Sequence, residues 1–306
     1  MADLSYTQAV VMGLLQGVTE LFPVSSLGHS LLVPAWIGGS WQKLVTESNS
    51  AGHTPFLAFI VALHVATAVA LILFYRRDWA RVVTGFVRSV RNRRIETSDE
   101  RLAWMLIIGT VPVGIVGLVA EHPLREVFAT PLAAAIFLFL NGGLLFAAER
   151  LRRRAVGGAG RHHVASTSPD TVANTTVATD VTTRLGYRGA AIVGACQILA
   201  LLPGISRSGA TISGGILRGL DHEDAAKFAF LLATPVILAA GVLKLPELFG
   251  PAGHGIGGQT LVGSACAFAA ALGAVGFLAR FFHTRTLYPF VVYCLVAGAI
   301  SIVRFA

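Results

Sequence analysis

Apolar residues run along this chain in long unbroken blocks, and the polar residues that interrupt them fall in clusters. Six blocks reach the length of a membrane crossing: 56–75, 102–120, 131–148, 227–245, 261–281 and 287–303. A helix needs ~20 residues to cross ~30 Å of hydrocarbon. Two further places hold paired, shorter blocks, 9–21 with 27–36 around Pro23 and 190–202 with 210–217 around Pro203-Gly204. None of these four is long enough to span alone. Each pair predicts a re-entrant helix–break–helix hairpin, because irregular backbone at membrane depth survives only where protein buries it or a cavity receives it. The expected fold class is therefore an all-α polytopic membrane protein with six transmembrane helices and two re-entrant hairpins.

The order of blocks repeats. One hairpin and three crossings fill residues 1–155, and a second hairpin and three crossings fill 189–306. An odd number of crossings per half turns the second half over, giving an inverted-topology repeat whose site lies near the midplane. Gln16 followed by Pro23-Val24-Ser25-Ser26 echoes Gln197 followed by Pro203-Gly204-Ile205-Ser206. Between the halves, 156–188 is expected to be a flexible, basic cytoplasmic linker, its 157–183 stretch rich in Thr, Ser, Ala and Gly.

Composition sharpens this picture. Charged residues make up 13% of the chain, against roughly 25% in soluble domains, and mean hydropathy is +0.69, which excludes a water-soluble fold. The net charge of +8 is concentrated in arginines at 76–101 and 150–188. Such clusters mark cytoplasmic segments and favour anionic lipid headgroups; nucleic acid is not an expected partner. Cys196, Cys266 and Cys294 are scattered without metal-like spacing and read as small buried hydrophobes. His64 and His222 read as packing or boundary residues.

Two charges stand out by isolation. Glu20 is the only carboxylate between Asp3 and Glu47, and Arg207 is the only charged residue between Arg188 and Arg218. A lone charge in membrane-like sequence is expensive and usually functional. Gln16 and Glu20, four apart, share a helix face, and Pro23 ends that half-helix. Ser25 and Ser26 fall where the next helix begins, a seat for phosphate. Ser26 and His29, three apart, bring hydroxyl and imidazole together, the minimum for an activated nucleophile. Around Arg207, whose guanidinium forks onto phosphoryl oxygens, stand Ser206 and Ser208. Gly204 and Gly209 allow close backbone approach. Gln16, Ser25, Gly28, Gly204, Ser206, Ser208, Gly209 and Thr211 are the expected substrate-binding set, facing each other as a diphosphate clamp. The plain alternative is a structural ion pair between Glu20 and Arg207, with the hydroxyls serving helix packing.

Gln16-Gly17-Val18-Thr19-Glu20, Pro23-Val24-Ser25-Ser26-Leu27-Gly28-His29 and Pro203-Gly204-Ile205-Ser206-Arg207-Ser208-Gly209-Ala210-Thr211 together resemble the bacterial undecaprenyl-diphosphate phosphatases, the bacitracin-resistance family. The resemblance covers nearly the whole chain outside 157–183. The family pattern of Glu or Gln, three residues, then Glu is met by Gln16 and Glu20. Leu27 replaces the usual Thr of Ser-Ser-Thr-Gly-His, so position 27 carries no role. Gln16 leaves one carboxylate fewer for any metal. The resemblance implies hydrolysis of undecaprenyl diphosphate to undecaprenyl phosphate on the outer side of the bacterial cell membrane, recycling the cell-wall lipid carrier. It also implies a divalent cation, Mg2+ or Ca2+, and a homodimer.

In the expected mechanism Ser26 is the nucleophile, His29 moves its proton, Arg207 stabilises charge, and Glu20 holds the cation or orients a water. Attack by metal-bound water fits the same residues. A polyprenyl-phosphate transporter or flippase is the alternative, since inverted repeats with broken helices also build transporters. Membrane phosphatases with a Pro-Ser-Gly-His motif match Ser26-Leu27-Gly28-His29 only loosely, and their downstream His–Asp pair is missing.

Overall fold

The first helix begins at a reciprocal cap. Ser5 Oγ accepts the Gln8 amide at 3.2 Å, and Gln8 Oε1 accepts the Ser5 amide at 2.8 Å, satisfying two amides that a helix start leaves free. The structure, a computed structural model, describes residues 4–42, 55–128, 130–159, 177–244, 246 and 255–306. These form α1 (Tyr6–Thr19), α2 (Ser26–Ile37), α3 (Pro55–Phe74), α4 (Arg76–Asn92), α5 (Ser98–Phe128), α6 (Pro131–Ala159), α7 (Val177–Cys196), α8 (Arg207–Leu217), α9 (His222–Lys244), α10 (Gly257–Thr284) and α11 (Tyr288–Phe305). A 3-10 turn, Gln197–Leu201, extends α7 toward the second break. Among the described residues there is no strand. Among the described residues, five helices are long and apolar enough to cross a membrane, six when α3 and α4 are taken as one broken span.

Packing is crosswise. Helix α1 lies against α10 and α7 against α5, while α6 pairs with α11 and α3 with α9. Small residues set the first two interfaces. A Cβ added at Gly13 would stand 2.2 Å from the Gly263 carbonyl oxygen, one at Gly17 2.3 Å from that of Ala267, and one at Gly194 2.1 Å from that of Gly109. Backbone therefore touches backbone, which is how helices associate in lipid, where burial of apolar surface offers little drive. These contacts hold the two breaks, 20–25 and 202–206, in the middle of the bundle.

The arginine-rich stretch after α3, read from the sequence as a loop, is a helix. Helix α4 turns 88° from α3 and has three faces. Val82, Gly85 and Ser89 are buried against the bundle. Val83, Val87 and Val90, spaced by four and three, form an exposed apolar line. Arg77, Arg88 and Arg91 form an exposed basic one. A helix lying across the span with adjacent apolar and cationic faces has the pattern of an interfacial segment. Lys227 Nζ donates to Asp78 Oδ1 at 2.9 Å and Trp104 Nε1 to Ser89 Oγ at 3.0 Å, docking α4 on α9 and α5.

Other expectations shift at their edges. Helix α6 continues to Ala159 and α7 starts at Val177, with Val181 and Leu185 buried. The expected linker is thus helical at both ends, and its centre, 160–176, lies outside the described residues. His222, read as a boundary residue, faces the buried Glu149 carboxylate at 2.8 Å, tying α6 to the start of α9.

Candidate active site

The two breaks meet, and the meeting is built on helix caps. Ser25 caps α2 with an uncommon backbone for a non-glycine residue, φ 73° and ψ 105°, a conformation costing roughly 1–3 kcal/mol. Its hydroxyl offsets that cost by accepting two amides at 3.2 Å each, Gly28 in its own helix and Gly204 in the other break. Ser206 caps α8 in the same way, its hydroxyl accepting the Gly209 amide at 3.1 Å. The capping serines Ser25 and Ser206 stand 181 positions apart, as do Gln16 and Gln197, and Gly28 and Gly209 (206 − 25, 197 − 16, 209 − 28).

Asn141, on α6, reads both breaks at once. Its Nδ2 donates to the Pro23 carbonyl and its Oδ1 accepts the Ser206 amide, both at 3.0 Å. Ser208 Oγ donates to the Phe22 carbonyl at 3.1 Å and lies 3.0 Å from Ser206 Oγ. Gly204, with φ at 114°, passes so close to α6 that a Cβ would stand 2.4 Å from the Ala134 carbonyl oxygen and 2.7 Å from the Leu138 amide. Gly204→Ala is therefore expected to cost at least about 2 kcal/mol through strain and overpacking. Thermal unfolding in detergent checks this; an unchanged Tm would mean that the second break relaxes freely.

Glu20 is the hub. It caps the end of α1 and is buried. Oε2 accepts Gln16 Nε2 at 3.0 Å and Ser26 Oγ at 2.5 Å, and His64 Nε2 stands 3.3 Å away. Oε1 is paired with Arg207 Nη2, while Arg207 Nη1 donates to the Ala233 carbonyl at 3.2 Å. The expected Gln16–Glu20 face and the Glu20–Arg207 meeting are both present. A hydroxyl donating into a carboxylate is the arrangement of a nucleophile beside its base. The first amides of α2 and α8 have no carbonyl within their own helices to bind, and helix dipoles add positive charge at the same ends.

Three expectations change. His29 does not meet Ser26; its Nδ1 lies 2.7 Å from the Ser25 carbonyl and its Nε2 2.7 Å from the Tyr293 hydroxyl. Both ring nitrogens are occupied, so the group placed to take the Ser26 proton is Glu20. Thr211 turns its hydroxyl back onto its own helix, donating to the Arg207 carbonyl at 2.7 Å. The hydroxyls of Ser206 and Ser208 serve the joint between the breaks. Sequence reasoning missed His64, Asn141 and Tyr293. Asn141 was findable as the one polar residue in 131–148, and His64 as the only group in 56–74 able to carry charge. Among the described residues no three His, Cys, Asp or Glu side chains converge to hold a metal ion. The Gln16 Oε1 atom, however, is buried and has no hydrogen-bond partner among the described residues.

The family described as "Bacitracin resistance protein BacA" matches residues 9–300. Undecaprenyl-diphosphatase 2 of Frankia alni is 56% identical, with 100% of this chain and 99% of that protein aligned. Undecaprenyl-diphosphatase of Mycolicibacterium paratuberculosis is 55% identical with the same coverage. Undecaprenyl-diphosphatase 2 of Chromobacterium violaceum is 38% identical over 96% of this chain and 97% of that protein. With its motifs, its paired breaks and relatives matched from end to end, this chain belongs to the bacitracin-resistance BacA family.

Proposed function

We propose that the paired breaks hydrolyse the terminal phosphoanhydride of undecaprenyl diphosphate, leaving undecaprenyl phosphate in the membrane and releasing inorganic phosphate. The chain is an undecaprenyl-diphosphatase, in keeping with its relatives at 55–56% identity over its full length. Transport or flipping gains no support from them. One observation carries the chemistry: the Ser26 hydroxyl donates to Glu20 at 2.5 Å while Arg207, from the other break, holds the same carboxylate.

Ser26 Oγ attacks the terminal phosphorus. The Oγ–P bond forms as the bridging P–O bond breaks, the Ser26 proton passes to Glu20 Oε2, and the electron pair leaves with undecaprenyl phosphate. Arg207 and the first amides of α2 and α8 stabilise the charge on the transferring group, the dominant contribution in phosphoryl transfer. Water then attacks the phosphoserine. Glu20 returns its proton to the Ser26 oxygen, and both hydrogens of the water leave with the phosphate.

A divalent cation fits these residues as a companion of the substrate. Glu20 and the unpartnered amide oxygen of Gln16 would hold it, and diphosphate oxygens and waters would complete its shell, as hard cations prefer. When bound it would neutralise charge on the diphosphate.

The wider architecture is read as two inverted repeats, 1–155 and 189–306, with α3 as the sixth crossing and the site facing the outer leaflet. Crosswise packing of α1 on α10 and α7 on α5, together with the common 181-residue offset of the caps, supports the repeat. The arginines of α4, α6 and α7 support the sidedness.

Phosphate release by the purified protein in detergent tests the proposal. Release from undecaprenyl diphosphate is expected with Mg2+ or Ca2+, falling sharply with EDTA. No release with either cation supplied would sink the hydrolase reading, and undiminished release in EDTA would remove the cation.

A further inference from the structure

We infer that His64 is a positioning residue of this site, the group that keeps Glu20 Oε2 facing Ser26 once the diphosphate draws Arg207 away. The inference rests on the hydrolase reading above and deepens it. His64 comes from α3, a helix that contributes no motif. Its ring is fixed by Nδ1, 2.8 Å from the Ile60 carbonyl one turn back, which leaves Nε2 directed at Glu20 Oε2, 3.3 Å away. Each nitrogen thus faces an oxygen, one in its own helix and one on Glu20. Among the described residues, Arg207 and His64 are the two basic side chains in contact with Glu20, one on each oxygen.

The arrangement has a consequence during binding. At rest the Arg207 fork is shared between Glu20 and the Ala233 carbonyl. A diphosphate needs those same N–H groups, because a guanidinium recognises phosphoryl oxygens through paired donors. When the fork turns to the substrate, Glu20 Oε1 loses the partner that fixed it, and the carboxylate can turn about its own bond. Gln16 and Ser26 remain on Oε2, but Ser26 is the group that must react. His64, its ring fixed from α3, then holds Oε2 where it faces Ser26. At 3.3 Å its contact is longer than a good N–H···O bond, as expected of a partner that tightens only in the loaded site. The half-buried ring, 25% exposed, has room for that adjustment. Removing it leaves Glu20 free to follow Arg207 or rotate from Ser26.

The test is steady-state kinetics on His64→Ala, His64→Gln and Glu20→Gln beside the wild type, in detergent, with farnesyl diphosphate as the probe and Tm recorded for each. His64→Ala should lower kcat about 10- to 100-fold, the range for losing a group that orients a catalytic ligand, with KM changed by less than about threefold. His64→Gln keeps an N–H donor at similar reach and should recover most of the lost kcat. A purely structural role would lower Tm in both variants or move KM, without rescue by Gln. Wild-type kcat in His64→Ala, with Glu20→Gln inactive, overturns this inference and leaves the hydrolase reading standing. An active Glu20→Gln overturns the reading on which it rests.

Discussion

Ser26→Ala is expected to cut phosphate release from undecaprenyl diphosphate by at least ~10³-fold, the scale of losing a nucleophile. Folding should be unaffected, because the cap of α2 is Ser25 and not Ser26. The reason for so large a loss lies in what the hydroxyl alone supplies. It is the first side chain of α2, at the mouth of that helix's free amides, and its proton already points at a carboxylate. Glu20→Gln should fall comparably, since an amide leaves the geometry but cannot take a proton. The sharper check is a quenched reaction with terminally labelled substrate. Label bound covalently to the wild-type protein and absent from Ser26→Ala identifies a phosphoserine. Retention of more than about a tenth of the activity by Ser26→Ala would show that water attacks directly, with Ser26 merely orienting it.

Arg207→Ala should cost about 10³- to 10⁵-fold, the range for an arginine that stabilises a transferring phosphoryl group. Arg207→Lys should recover little of it. Lysine keeps the charge but offers a point donor in place of a fork. The alternative of a structural Glu20–Arg207 pair predicts a different pattern. In that case Arg207→Lys would restore activity with stability, and the double variant Glu20→Gln/Arg207→Gln would be as active as either single one. Kinetics and unfolding on these variants separate the two. Wild-type kcat in Arg207→Lys would remove the fork from the mechanism.

The breaks could be read from the letters because proline, glycine and serine contrast with apolar sequence, and Glu20 and Arg207 because each stands alone. Their meeting was expected from the reading of the second half as inverted, and Glu20 and Arg207 do meet. The partner of His29 did not follow. Three-residue spacing put it near Ser26, but the ring turns toward Tyr293 on α11, 264 residues away, and nothing local specifies that direction. His64 and Asn141 were hidden for a different reason. Each sits singly in an apolar span, where one polar group is as consistent with packing as with chemistry until its neighbours are known. Helix α4 was legible in principle, since Val83, Val87 and Val90 follow a helical period, but its arginines made it read as loop.

Glu20 and Arg207 are separated by 187 residues of chain. At about 5–20 residues per second, the ribosome makes the carboxylate roughly 10 to 40 s before it makes the guanidinium. The first hairpin is therefore made well before its guanidinium partner, and the joined site waits for the second break. The contact of His29 with Tyr293 extends that wait into the last helix. Nascent and truncated chains thus carry a half-site that is both inactive and unstable in lipid. Activity can switch on only when biosynthesis is nearly complete, and incomplete products expose the kind of intramembrane charge by which quality-control proteases could recognise them.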